Sequence, residues 1–181
     1  IEKICEIAPE AIITTEVGQN QMWAAQFFVH KDPSKFISSG GLGTMGYGFP
    51  AAIGAKMGRP DCDVIDVAGD GSFLMNSQEL ATAVVNDIPV KVAVLNNGCL
   101  GMVRQWQELF FEKRYSATIL GRASPDFVKL ADAHGVPARR VTKPEEVAEA
   151  IEWARQTPGP VVLEFRVEQE ARRALVTGQV V

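Results

Sequence analysis

Basic residues are in the minority: 18 Lys and Arg stand against 22 Asp and Glu, giving a net charge of −4 and a pI near 5.3. That removes the electrostatic basis for a nucleic-acid or anionic-membrane partner. There are two histidines, His30 and His134, in no motif, and both are expected at the surface. Three cysteines, Cys5, Cys62 and Cys99, are odd in number and lack metal-ligand spacing. A disulfide framework or zinc site is therefore not expected, and a reducing, cytoplasmic compartment fits better. No apolar run reaches 18 residues, and the start lacks the basic, apolar and small-residue sequence of a signal peptide. A soluble chain is expected. It begins at Ile1 without a methionine, in a segment that reads as the tail of a helix, so a fragment or processed product is expected.

Hydrophobic residues make up 46% of 181 positions, enough for the core of one domain. There are no internal repeats, low-complexity tracts or long linkers. Short apolar runs at 11–15, 35–38, 63–68, 90–95, 139–142 and 161–167 alternate with helical patterns at 20–29, 47–57, 77–86, 102–111, 126–134 and 144–156. This alternation predicts βα units in a three-layer α/β/α fold around a six-stranded parallel sheet. The last helix is the clearest, with Pro144 in its first turn, Glu145 and Glu146 beside it, and Val147, Ala150, Ile151 and Ala154 as one apolar stripe. Residues 112–124 show no periodicity and read as a binding loop, a lid or an ordinary surface loop. The domain spans 1–167, and 168–181 form a C-terminal tail, disordered or folded over the site.

Two clusters carry chemistry. Gly69-Asp70-Gly71 ends one apolar strand, and Asn96-Asn97 ends the next. A helical crossover makes these strands parallel neighbours, so Asp70 and Asn97 fall side by side at the carboxyl edge, where open α/β sheets bind ligands. A carboxylate, an amide oxygen and a nearby carbonyl suit Mg²⁺, which completes its shell with phosphate and water. Each cluster alone also reads as a tight turn; helical patterns after both favour the metal. Gly41-Leu42-Gly43-Thr44-Met45-Gly46 matches G-x-G-x-x-G and raises a competitor, a nicotinamide-dinucleotide oxidoreductase module. The half-polar Phe36-Ile37-Ser38-Ser39 before it suits a loop better than a central strand. As bare residues, Met45, Met102 and Trp106 read as core.

Gly-Asp-Gly followed after 24 residues by Asn-Asn resembles the thiamin diphosphate motif. The resemblance is closer still to the catalytic subunit of acetolactate synthase, over about residues 10 to 167. It is carried by Gly18-Gln19-Asn20-Gln21-Met22-Trp23, by Ser39-Gly40-Gly41-Leu42-Gly43-Thr44-Met45-Gly46-Tyr47-Gly48, and by residues 96–115 from Asn96-Asn97-Gly98-Cys99 onward. The matching part is that family's C-terminal diphosphate-binding domain.

The resemblance implies an enzyme that decarboxylates pyruvate and transfers the two-carbon unit to a second 2-keto acid, pyruvate or 2-ketobutyrate, in branched-chain amino acid biosynthesis. It implies thiamin diphosphate and Mg²⁺ as cofactors, with Asp70, Asn97 and the carbonyl of Cys99 as metal ligands. Gly18, Gln19, Asn20, Gly43, Met45, Gly69, Gly71, Ser72, Leu100, Gly101 and Met102 complete the cofactor site. Within it Gly43 offers a carbonyl to the aminopyrimidine, Met45 wedges beneath the cofactor, and Ser72 donates to the diphosphate. Met102 and Trp106 line the substrate channel. Asn20 stands where the family has histidine, which removes an ionisable role there. The glutamate that activates the cofactor belongs to a separate domain, as does FAD, and no segment resembles either, so no catalytic residue is expected in this chain. The expected partners are the other domains of the same subunit, a homodimer or tetramer, and a regulatory subunit. The nearest alternative is another thiamin diphosphate-dependent decarboxylase or oxidase.

Overall fold

A computed structural model describes residues 1–169; the rest of the predicted tail lies outside the described residues. The six strands are β1 (Ile12–Thr15), β2 (Phe36–Ser38), β3 (Val64–Gly69), β4 (Lys91–Asn96), β5 (Ala138–Val141) and β6 (Val161–Arg166). They form one sheet in the order β2-β1-β3-β4-β6-β5, with every pairing parallel. Parallel strands covered on both faces must be apolar on both, which is why β3 and β4 read as near-continuous hydrophobic runs.

The helices are α1 (Glu2–Ile7), α2 (Gln19–Phe27), α3 (Gly48–Gly58), α4 (Asp70–Phe73), α5 (Leu80–Val85), α6 (Gly101–Phe110), α7 (Phe127–Ala133) and α8 (Val147–Gln156). One face of the sheet buries Phe49, Ala52, Phe73, Leu80, Ala83 and Phe127 from α3, α4, α5 and α7. The other buries Ile4, Ala24, Ala150, Ile151 and Ala154 from α1, α2 and α8. The stripe expected on the last helix is thus its packing face, and the three-layer expectation holds. Helix α6 belongs to neither core and buries only Gln105.

Several local expectations need correcting. The helix predicted from Ser77 opens as a 3-10 turn, Ser77–Glu79, before α5. A four-residue helix, α4, begins at Asp70 itself, ahead of the helical pattern expected from Ser77. His30 and His134 are half-buried rather than exposed. The His30 ring lies 4.7 Å from Phe28 and 4.4 Å from Phe36, because a neutral imidazole packs as an aromatic. Segment 112–124 is not structureless. Ile119 bridges Cys99 in antiparallel fashion, and the Leu100 amide donates to the Thr118 carbonyl at 2.8 Å. Gln107 Nε2 donates to the Ser116 carbonyl, and Gln107 Oε1 accepts from the Thr118 hydroxyl. Contacts to a distant loop leave no periodic trace in sequence.

Gly48 shows how tightly α3 meets the sheet. A Cβ added there would lie 2.6 Å from the Thr15 carbonyl carbon, well inside van der Waals contact, so only glycine lets the helix begin against β1.

Candidate functional site

Strands β3 and β4 pair with Gly69 opposite Leu95, so the residues that follow each strand emerge together at the carboxyl edge. Asp70 is 2% exposed. Its Oδ2 accepts the Gly98 amide at 2.9 Å, and burial pushes its carboxyl up to about 6. Asn97 is oriented through both ends of its carboxamide: its Oδ1 accepts the Cys99 amide at 3.1 Å and the Cys99 thiol at 3.4 Å, and its Nδ2 donates to Gln19 Oε1 at 3.1 Å. Gln19 in turn donates through Nε2 to Oε1 of buried Gln105, at 3.3 Å. A carboxylate oxygen, a carboxamide oxygen and a backbone carbonyl at Cys99 are hard donors of the kind Mg²⁺ takes.

A cleft runs past these groups. Gly18, Gln19, Asn20, Met45, Gly69, Asp70, Gly71, Ser72, Asn97, Cys99, Leu100, Gly101 and Met102 all line it. Of the expected site residues, Gly43 and Trp106 do not. Gly43 sits in the neighbouring loop at φ +64, and Trp106 lies one helical turn beyond Met102, half-exposed against Phe110. The N-termini of α2 and α6 open onto the cleft at Gly18 and Gly101. The N–H groups and dipole at a helix N-terminus favour an anion. Yet the described lining contains Asp70 and no Lys, Arg or His. A polyanion beside that carboxylate needs a cation to bridge them, which is the task of a divalent metal.

Asn20 and Ser72 have structural partners of their own. Asn20 Nδ2 donates to the carbonyls of Glu16 and Val67, at 3.0 and 2.9 Å, and so clamps β1 to β3. Ser72 Oγ makes a long, 3.4 Å bond to the Gly69 carbonyl.

Sequence reasoning passed over Glu16 and Asp66, both fully buried. Glu16 accepts the Gly46 and Phe49 amides at 2.7 and 3.0 Å and so caps α3. Burial raises its carboxyl above the usual range, against the pull of those amides. Asp66 is pushed up further, by burial and then by Glu16, and among the described residues its Oδ2 has no partner. The available signal was a charged residue inside one apolar strand, Asp66 in β3, and directly after another, Glu16 at the end of β1. The Glu16 cap also removes the dinucleotide reading: the helix N-terminus after Gly41-Leu42-Gly43-Thr44-Met45-Gly46 is already occupied by a carboxylate, and the preceding β2 is an edge strand.

The chain matches the family described as thiamine pyrophosphate enzyme, C-terminal TPP binding domain, over residues 16–165. A probable acetolactate synthase large subunit of Methanococcus aeolicus is 49% identical over 94% of this chain and 28% of its own length. The acetolactate synthase large subunit of Corynebacterium glutamicum is 54% identical over 92% of this chain and 27% of its own. An acetolactate synthase of Mycobacterium avium is 52% identical over 95% and 28%. The chain thus spans under a third of the length of these curated relatives.

Proposed function

The chain belongs to the thiamine pyrophosphate enzymes, as their C-terminal TPP-binding domain, and on that premise we propose that Asp70, Asn97 and the Cys99 carbonyl hold Mg²⁺ against the diphosphate of thiamin diphosphate. The single observation that carries the metal is the cleft's charge: a buried carboxylate between two helix N-termini, with no basic side chain in the described lining. Backbone amides at Gly18 and Gln19 would donate to the diphosphate, as would the Ser72 hydroxyl, whose present bond to the Gly69 carbonyl is long, and Gly69, Gly71 and Gly101 would let the backbone approach it. Met45, Leu100 and Met102, which line the cleft, would pack against the cofactor, with Gly43 in the loop beside Met45.

When bound, thiamin diphosphate supplies the carbon nucleophile and the electron sink for loss of carbon dioxide from a 2-keto acid. The chain's own residues bind and orient it. The reaction we propose is acetolactate synthesis: decarboxylation of pyruvate and transfer of the two-carbon unit to pyruvate or 2-ketobutyrate, for branched-chain amino acid biosynthesis. The relatives' names support it at about half identity. Met102 and Trp106 would flank the second substrate, Trp106 once another domain covers its exposed face. The activating glutamate and an FAD site would lie on other domains of the same polypeptide, in a cytoplasmic dimer or tetramer with a regulatory subunit.

The test is acetolactate formation from pyruvate. The complete polypeptide carrying this chain is expected to form it only with thiamin diphosphate and Mg²⁺, and the 181-residue chain alone is expected to form almost none. Robust synthesis by the chain alone, or none by the complete polypeptide, contradicts the proposal.

A further inference from the structure

Of the pair Asn96-Asn97, only Asn97 has a task in the site as described. Asn96 is the last residue of β4 and is 2% exposed. Its Nδ2 donates to Glu164 Oε1 at 2.7 Å, and its Oδ1 accepts the Gly98 amide at 3.1 Å. That same amide donates to Asp70 Oδ2 at 2.9 Å. Glu164, in β6, is 0% exposed. Two guanidinium groups hold it: Arg140 Nε donates to Oε2 at 2.6 Å, and Arg166 Nε lies 3.1 Å from Oε1. Arg140 also donates to Oδ1 of Asp126, the N-cap of α7, at 2.7 Å.

We propose that Glu164 is a positioning residue for the Asp70 site, acting through the Asn96 carboxamide and the Gly98 amide. The proposal rests on the reading of Asp70 as a metal ligand. A carboxamide has a donor end and an acceptor end, and its neighbours decide which way it faces. The Glu164 carboxylate can only accept, so it takes the NH₂ end of Asn96. Oδ1 is thereby turned to Gly98. The Gly98 amide, in a turn that needs φ +72, then sits between Asn96 Oδ1 and Asp70 Oδ2, and Asp70 is held in one orientation. A charge-assisted bond is the stronger kind and sets the direction of the whole relay. Replacing Glu164 by glutamine weakens it. One amide oxygen must then serve the three donors that two carboxylate oxygens served, Arg140, Arg166 and Asn96 Nδ2, and the new NH₂ group opposes whichever donor it faces, so Asn96 is no longer held with Oδ1 on Gly98.

The experiment compares Glu164→Gln, Asn96→Ser and the double variant with the unaltered protein, in the complete polypeptide carrying this chain. It reads the Mg²⁺ concentration that half-saturates thiamin diphosphate binding, by tryptophan fluorescence, and the thermal midpoint without cofactor. Each single variant is expected to raise the Mg²⁺ requirement by roughly tenfold. The double variant should do no worse than the poorer single, because residues in one network are not additive. Cofactor affinity at saturating Mg²⁺ should stay within about twofold, since the diphosphate contacts themselves are intact. A Mg²⁺ requirement unchanged in either single variant, whatever the thermal midpoint does, overturns the relay, as do effects that multiply. Should Glu164→Gln fail to fold, Asn96→Ser decides alone. If the unaltered protein binds the cofactor equally well without Mg²⁺, the metal reading fails and the relay with it.

Discussion

Asp70 and Gly98 are joined by a 2.9 Å hydrogen bond from the Gly98 amide to the Asp70 carboxylate, across 28 positions of sequence. It ties the end of β3 to the loop after β4 and fixes the carboxylate proposed to meet the metal.

Burial raises that carboxyl to about 6 in the cofactor-free chain. Below this pH a proton must leave before Mg²⁺ binds, so Mg²⁺ affinity is expected to fall by about tenfold per pH unit there. Stability of the cofactor-free protein runs the other way. The folded value lies above the unfolded one, so between about pH 4 and 6 the unfolded chain gives up its proton first. This group's contribution is present at the acid end and is lost as pH rises, by up to about 3 kcal/mol. Denaturant unfolding at pH 4.5 and 7 checks it: Asp70→Asn should remove that part of the pH dependence.

Gly101→Ala tests the amide chain on the other ligand. An added Cβ would overlap Gln19 Oε1 and lie 2.7 Å from Asn97 Nδ2, displacing the bond between them. Alanine at this helical position otherwise gains about 1 kcal/mol over glycine. Cofactor binding should therefore weaken by roughly tenfold, about 1.4 kcal/mol, while the thermal midpoint holds. A midpoint that collapses in step with binding contradicts the assignment.

Glu16 and Asp66 are both buried acids with opposite consequences. Glu16→Ala strands two amides at the start of α3 and is expected to cost about 2–5 kcal/mol. Burial and then Glu16 push the Asp66 carboxyl well up, which favours its neutral form, so Asp66→Asn is expected to cost within about 1 kcal/mol at pH 7. Equilibrium unfolding reads both, and a large loss in Asp66→Asn would mean the aspartate is charged.

All six strands were legible to within about a residue, because a doubly covered parallel sheet writes itself as short apolar runs between helical patterns. The partnership of Asp70 with the Asn97 loop was legible from spacing and from the edge rule of open sheets. What was not legible depends on contacts far apart in sequence. Glu16 caps a helix that begins over 30 positions later. Thr118 returns to pair beside Leu100. Glu164 reaches Asp70 only through Asn96 and Gly98. Trp106 was placed beside Met102 by helical spacing, yet one turn of α6 carries it off the cleft and into contact with Phe110.

Asp70 is proposed to anchor the metal that holds the diphosphate. Calorimetric titration of the complete polypeptide carrying this chain with thiamin diphosphate, in Mg²⁺ and in EDTA, beside Asp70→Ala, tests it most directly. Saturable binding is expected in Mg²⁺, with loss of that binding in EDTA and loss of it in Asp70→Ala under both conditions. Binding by Asp70→Ala equal to that of the unaltered protein in Mg²⁺ would contradict that role.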